Sequence, residues 1–232
     1  LWKTTDNGVS YVPLTDNLPI TRISDICIDP SNPNTIYISV CDFEYIDFGL
    51  LQYGRKRNTY FGIGVYKTTD GGTTWNPTGL SYQLTDGEAS LIREIIVDPS
   101  NSNNVVACGV SGMFKSTNAG TSWSTVSDSL FWDMIQDPVS PNTLYAATGW
   151  LMNANIGSAG IYKSTNFGTS WNLLPTGIPA RGSVQRIRLG QSPNNTNIIY
   201  AATVDVSEGL YGIYKTTNAG TSWNLQFNSL NL

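Results

Sequence analysis

The chain has 232 residues, of which 40% are hydrophobic, 11% aromatic and only 13% charged. Ordinary domains carry roughly 25% charged residues, so this surface is neutral and polar, built from Asn, Ser, Thr and Gly. Thirteen basic against seventeen acidic residues give a net charge of -4, which leaves no basic face for nucleic acid. Histidine is absent, which excludes Ser-His-Asp and Cys-His catalysis and histidine metal sites. No stretch approaches the roughly 20 apolar residues of a membrane-spanning helix, so no membrane insertion is expected. Any chemistry must rest on carboxylates, tyrosines or hydroxyls. Cys27, Cys41 and Cys108 are odd in number and lack Cys-x-x-Cys spacing; they read as thiols on strands, without zinc or a disulfide framework.

Two sequence elements alternate along the chain. The first is an octet preceded by lysine. It opens the chain at 4–11 as Thr-Thr-Asp-Asn-Gly-Val-Ser-Tyr after Lys3 and predicts a half blade over 1–13. The second is an apolar run, an Asp-Pro turn rich in Asn and Ser, and another apolar run. It stands at 26–37 and is followed by the octet at 68–75 behind Lys67. Each element has the composition of a β-hairpin, with Asp or Asn bonding turn amides and Gly tolerating positive φ. The pair predicts four antiparallel strands over 20–80. The same pair recurs at 95–106 and 116–123, predicting 90–128, and at 134–145 and 164–171, predicting 130–175. A worn copy at 189–200, with Ser192-Pro193 in place of Asp-Pro, and the octet at 216–223 predict 183–227. Four strands per repeat of about 50 residues are the anatomy of a β-propeller blade. The expected fold is therefore all-β: about four and a half blades, most simply part of a larger propeller, or else closed by another chain.

The octet resembles the Asp-box, or BNR, repeat (Ser/Thr-x-Asp-x-Gly-x-Thr-Trp) of sialidases, xyloglucanase-type glycoside hydrolases and sortilin-type receptors. With the Asp-Pro-x-Asn-Pro-Asn turn it is most similar to the sortilin/xyloglucanase branch, whose repeats also occur in large secreted proteins of Bacteroidetes. The resemblance implies a propeller and an extracellular or cell-surface location. It implies little about activity, because the box is structural across its families. The box positions are Asp6, Asp70, Asn118, Asn166 and Asn218 with Trp75, Trp123, Trp171 and Trp223. The three Asn replacements keep turn bonding and favour a role in folding. The tryptophans are expected to pack within or between blades, and the lysines to run along the sheet with exposed heads.

Function is expected in loops that depart from the repeat. The insertion between about 41 and 61 interleaves Phe43, Tyr45, Phe48, Tyr53, Tyr60 and Phe61 with Arg55 and other charges, which suits a carbohydrate or protein ligand. Trp150 offers a further stacking surface. Four residues before each Asp-Pro stand Asp25, Glu94, Asp133 and Arg188, which are expected to form a charged ring at one channel mouth. Within it, Asp25 and Asp133 are candidates for the paired carboxylates of a glycosidase. No cofactor or metal is expected. The leading reading is a secreted binding, adhesion or structural module without catalysis. Its rivals are a polysaccharide hydrolase of the xyloglucanase type and a sortilin-like peptide or protein receptor.

Overall fold

A computed structural model describes residues 1–42, 61–149, 159–175, 177–178, 183–205 and 209–228. The described strands are β1 (Trp2–Lys3), β2 (Val12–Pro13), β3 (Asp25–Ile28), β4 (Ile36–Val40), β5 (Gly64–Thr68), β6 (Asn76–Ser81), β7 (Ile92–Val97), β8 (Val105–Gly109), β9 (Gly112–Ser116) and β10 (Ser124–Ser127). They continue as β11 (Phe131–Gln136), β12 (Leu144–Thr148), β13 (Gly160–Ser164), β14 (Asn172–Leu173), β15 (Val184–Gln191), β16 (Ile199–Asp205), β17 (Leu210–Thr216) and β18 (Asn224–Asn228). β1 and β2 form a two-stranded sheet. The others form four sheets of four strands, ordered β3-β4-β5-β6, β7-β8-β9-β10, β11-β12-β13-β14 and β15-β16-β17-β18. The fold is all-β, made of the four-stranded antiparallel blades of a β-propeller. Among the described residues no helix is long and apolar enough to cross a membrane.

The chain divides into two compact units, one of residues 1–111 with 116–124 and one of 112–115 with 125–232. In the first unit, Ile36, Ile38, Val40 and Ile63 form a core against which Leu1, Leu18, Ile20, Ile23, Tyr66 and Trp75 pack. In the second, the core joins Tyr145, Ala147, Val184, Ile187, Ile199, Ala201, Tyr214 and Trp223.

The second strand of a blade explains the sequence pattern. β4 (Ile-Tyr-Ile-Ser-Val), β8 (Val-Val-Ala-Cys-Gly) and β12 (Leu-Tyr-Ala-Ala-Thr) are buried at every residue. A strand covered on both faces has no reason to alternate, which is why these segments read as continuous apolar runs. β16 differs. Its sequence, Ile-Tyr-Ala-Ala-Thr-Val-Asp, begins almost as β12 does, yet burial alternates along it. The thiols sit on or beside strands, Cys41 and Cys108 buried and Cys27 half-buried.

Candidate functional site

The octet is a self-contained hydrogen-bonded turn. In the copy at 68–75, the Thr68 hydroxyl donates to Asp70 Oδ1 at 2.6 Å and accepts the amides of Asp70 and Gly72. Asp70 in turn accepts the Thr74 amide at 2.9 Å and its hydroxyl at 2.7 Å. The first octet repeats this with Thr4, Asp6, Gly8 and Ser10. In the three remaining copies Asn118, Asn166 and Asn218 keep the amide-accepting oxygen. Their Nδ2 donates to Ser122, Ser170 and Ser222, so the bond between side chains survives with its direction reversed. Hydrogen bonds, first among them that from the Ser10 hydroxyl, hold the Asp6 carboxyl down at about 2. Those from Thr68 and Thr74 hold Asp70 lower still. These groups are exposed, and among the described residues their side-chain hydrogen bonds lie within their own turns.

The residue after each Asp or Asn was not singled out by sequence reasoning. Asn7, Ala119, Phe167 and Ala219 all have φ between 47° and 57°, and Gly71 has 71°. In four copies this left-handed residue joins the two hairpins of a blade, because its amide donates to an Asn carbonyl of the Pro-rich turn. The bonds are Gly71 to Asn34, Ala119 to Asn103, Phe167 to Asn142 and Ala219 to Asn197, at 2.8–3.0 Å. Its carbonyl faces the preceding repeat. Lys3 donates to the Gly71 carbonyl at 3.4 Å, Lys67 to that of Ala119 at 3.1 Å and Lys115 to that of Phe167 at 2.8 Å. Tyr37 and Tyr145 hydroxyls donate to the carbonyls of Ala119 and Ala219 at 3.0 and 3.3 Å. Lys67 lies 5.1 Å above the Tyr37 ring and Lys163 5.2 Å above that of Tyr145, an added cation–π attraction. Burial pushes the Tyr145 phenol up to about 12 and moves Tyr37 in the same direction.

This arrangement corrects the expectation for the lysines. The heads of Lys67 and Lys115 bond octet carbonyls of the next repeat, and Lys67, Lys115 and Lys163 are half-buried, whereas Lys3 is exposed as expected. The tryptophans are divided. Trp223 is buried, whereas Trp75, Trp123 and Trp171 are half-buried, with Trp75 donating to the Leu14 carbonyl and Trp123 to that of Gly120. Asp29, Asp98 and Asp137 are buried and accept the amides of Ser31, Ser100 and Val139, capping the Pro-rich turns.

Asp25 and Asp133 lie in different units and have matching jobs. Asp25 Oδ2 accepts the amide of Ile95 on β7 at 2.6 Å, and Asp133 Oδ2 accepts that of Leu189 on β15 at 2.6 Å. Each carboxylate thus ties the first strand of its blade to the first strand of another. Asp133 is 6% exposed and has Arg188 Nη1 3.4 Å from Oδ1. Glu94 meets Arg93 at 3.5 Å. Burial raises the Asp25 carboxyl above its ordinary value, opposed chiefly by the Ile95 amide. Of the residues expected in a charged ring, Asp25 and Asp133 bond amides of another strand, Glu94 meets Arg93 and Arg188 meets Asp133.

A cavity of about 410 Å³ opens between β6 and the octet at 116–123, lined by Lys67, Asn76, Thr78 and Thr121 among others. Its walls hold no carboxylate and offer no acid/base pair. Among the described residues no cluster of three or more His, Cys, Asp or Glu fits a metal ion. Phe43, Tyr45, Phe48, Tyr53, Arg55, Tyr60 and Trp150, the candidate ligand-binding residues, lie outside the described residues.

No family model matches the chain. The xyloglucanase Xgh74A of Acetivibrio thermocellus is 26% identical over 129 residues, 50% of this chain and 14% of that protein. Among solved structures, an ancestral GH74 enzyme superposes with a TM-score of 0.65 and 22% identity over 88% of this chain and 24% of its own. The GH74 xyloglucanase of Xanthomonas campestris superposes with a TM-score of 0.58 and 14% identity over 97% of this chain and 42% of its own. The chain therefore spans less than half the length of each of these proteins, and the likeness to the two structures is one of fold.

Proposed function

We propose that this chain is a stretch of Asp-box β-propeller that works as a non-catalytic scaffold outside the cell, presenting loops to a carbohydrate or protein ligand. One observation carries this reading: the two carboxylates best placed in the sequence for glycosidase chemistry, Asp25 and Asp133, accept amides of another strand. A general acid or nucleophile needs its oxygens turned to a sugar, and these four oxygens are already committed in part to the fold. The octets are spent on turns and joints as well. What is left for recognition is sequence that breaks the repeat, above all 43–60 with its aromatic and charged residues.

A second reading is favoured by the sequence likeness to the xyloglucanase Xgh74A. It makes the chain part of a polysaccharide hydrolase, with Asp25 or Asp133 contributing one carboxylate. Glycan-array binding of the chain, beside a variant with 43–60 replaced by a short Gly-Ser connection, tests the scaffold reading. Retained folding with lost capture of plant or bacterial polysaccharide supports it. Undiminished capture by the shortened variant overturns the assignment of that segment.

A further inference from the structure

The cavity beside β6 lies wholly within the first unit. It exists because one joint between repeats is less filled than the next. Lys67 and Ala119 line it, and the residues at the same positions of the following joint are Lys115 and Phe167. There the Phe167 side chain is 2% exposed and its ring centre lies 5.7 Å from Lys115 Nζ. Lys115 also donates to the Thr169 hydroxyl at 2.6 Å, so ring and hydroxyl together close that joint. In the first unit the methyl group of Ala119 stands in place of the ring. Lys67 reaches the Ala119 carbonyl at 3.1 Å but bonds no threonine among the described residues.

The hydroxyl left over is that of Thr121, the counterpart of Thr169. Thr73, Thr169 and Thr221 each turn their hydroxyl back onto the carbonyl of Asp70, Asn166 or Asn218 in their own octet. Thr121 makes no such bond among the described residues and lines the cavity instead. Thr69 and the Asn76 carboxamide line it as well, which supplies both donors and acceptors. Pro77 and the Ala119 methyl add apolar surface. The lining includes no carboxylate, and its cation, Lys67, is held between the Ala119 carbonyl and the Tyr37 ring. The volume of about 410 Å³ falls within the roughly 300–1,000 Å³ of small-molecule sites.

We propose that this cavity holds one neutral sugar residue of a glycan, with the Thr121 hydroxyl and the Asn76 carboxamide bonding its hydroxyls and Pro77 lying against its C–H face. Hydroxyl and carboxamide groups without a free charge match a neutral polyol, whereas a carboxylate or phosphate calls for a cation not already engaged. The site uses no residue of 43–60, so its failure leaves the reading of that segment standing.

Amide NMR shifts of the labelled chain, titrated in the millimolar range with the methyl glycosides of glucose, galactose, xylose and glucuronic acid, test it. Saturable shifts are expected at Thr69, Thr78, Gly79 and Thr121 with at least one neutral glycoside, and weaker ones with the glucuronide. Ala119→Phe places the ring of the following joint in the cavity, at a φ of 54° close to the 47° of Phe167. It is expected to abolish these shifts and leave distant amides unchanged. Thr121→Val, on an exposed residue, keeps the shape and is expected to weaken binding roughly threefold to tenfold through one lost hydrogen bond; it decides the matter if Ala119→Phe disturbs the fold. The variant with 43–60 replaced is expected to bind as the native chain does. The proposal is overturned by a chain that shows no saturable shift with any neutral glycoside, and by binding undiminished in Ala119→Phe or Thr121→Val. A preference for the glucuronide overturns the neutral class, and loss of binding on replacing 43–60 hands the sugar to that segment and overturns the cavity assignment.

Discussion

Tyr37 and Tyr200 occupy the same place in two blades, each at the end of a Pro-rich hairpin with a box lysine over its ring, yet one is sealed and the other open. Both blades set a box lysine over the ring, although the fourth has Ser192-Pro193 where the first has Asp29-Pro30. Among the described residues the Tyr37 hydroxyl meets an octet carbonyl, that of Ala119, and that of Tyr200 does not. In a repeat protein each unit buries its face against its neighbour, so burial here belongs to the joint and not to the blade. The same applies to β12 and β16, close in sequence and opposite in exposure.

The largest effect that can break this comparison is truncation of the two rings. Tyr145→Ala removes a buried aromatic side chain and its bond to Ala219, a loss of about 3–5 kcal/mol by analogy with other large-to-small core changes. Tyr200→Ala removes a surface ring and is expected to cost no more than about 0.5–1 kcal/mol in the single chain. Urea unfolding of both variants reads the difference. Equal losses would show that the ring stabilises its own blade and that the neighbour is irrelevant.

A smaller effect sharpens the comparison among the octets. The Asp6 and Asp70 carboxyls titrate below the ordinary carboxylate value because the turn hydroxyls and amides bond their charged forms. Their contribution is present above that ordinary value and fades as pH falls through the lowered one. The Asn octets have no such dependence. Amide exchange at Ser10 and Thr74 is therefore expected to speed up in acid relative to Ser122, Ser170 and Ser222, by a small margin because the aspartates are exposed. Asp25 works in the opposite sense: its raised value makes the folded state the stronger proton binder, so its contribution to stability falls as pH rises through the shifted range.

Most of the fold was legible because a period of about 50 residues with two hairpin signatures admits few architectures. The strands, the turn role of Asp70 and Asn118, and the capping role of Asp29 all follow from local chemistry that a short window contains. The joints were not legible. The carbonyl of Ala119 has no side chain to mark it, and the bond from Lys67 spans 52 positions. A residue with positive φ that is Asn, Ala, Phe or Gly in different copies leaves a single signal: the invariant Gly after it. The surroundings of Asp25 and Asp133 were illegible for a related reason. A carboxylate four residues before a Pro-rich turn looks the same whether it faces water or the amide of another strand 56 or 70 positions away.

That distinction bears the functional conclusion, and Asp133 tests it most directly. Thermal unfolding and release of reducing ends from xyloglucan should be measured together on the native chain, Asp133→Asn and Asp133→Ala. Asn keeps an acceptor for the Leu189 amide, whereas Ala leaves it unpaired at a cost of about 1–3 kcal/mol, several degrees in a protein of this size. The expected result is a melting temperature near that of the native chain for Asn, a clear drop for Ala, and no sugar release from any of the three. A native chain that releases sugar, and an Asp133→Asn variant that melts normally but does not, would contradict the scaffold reading and make Asp133 a catalytic residue.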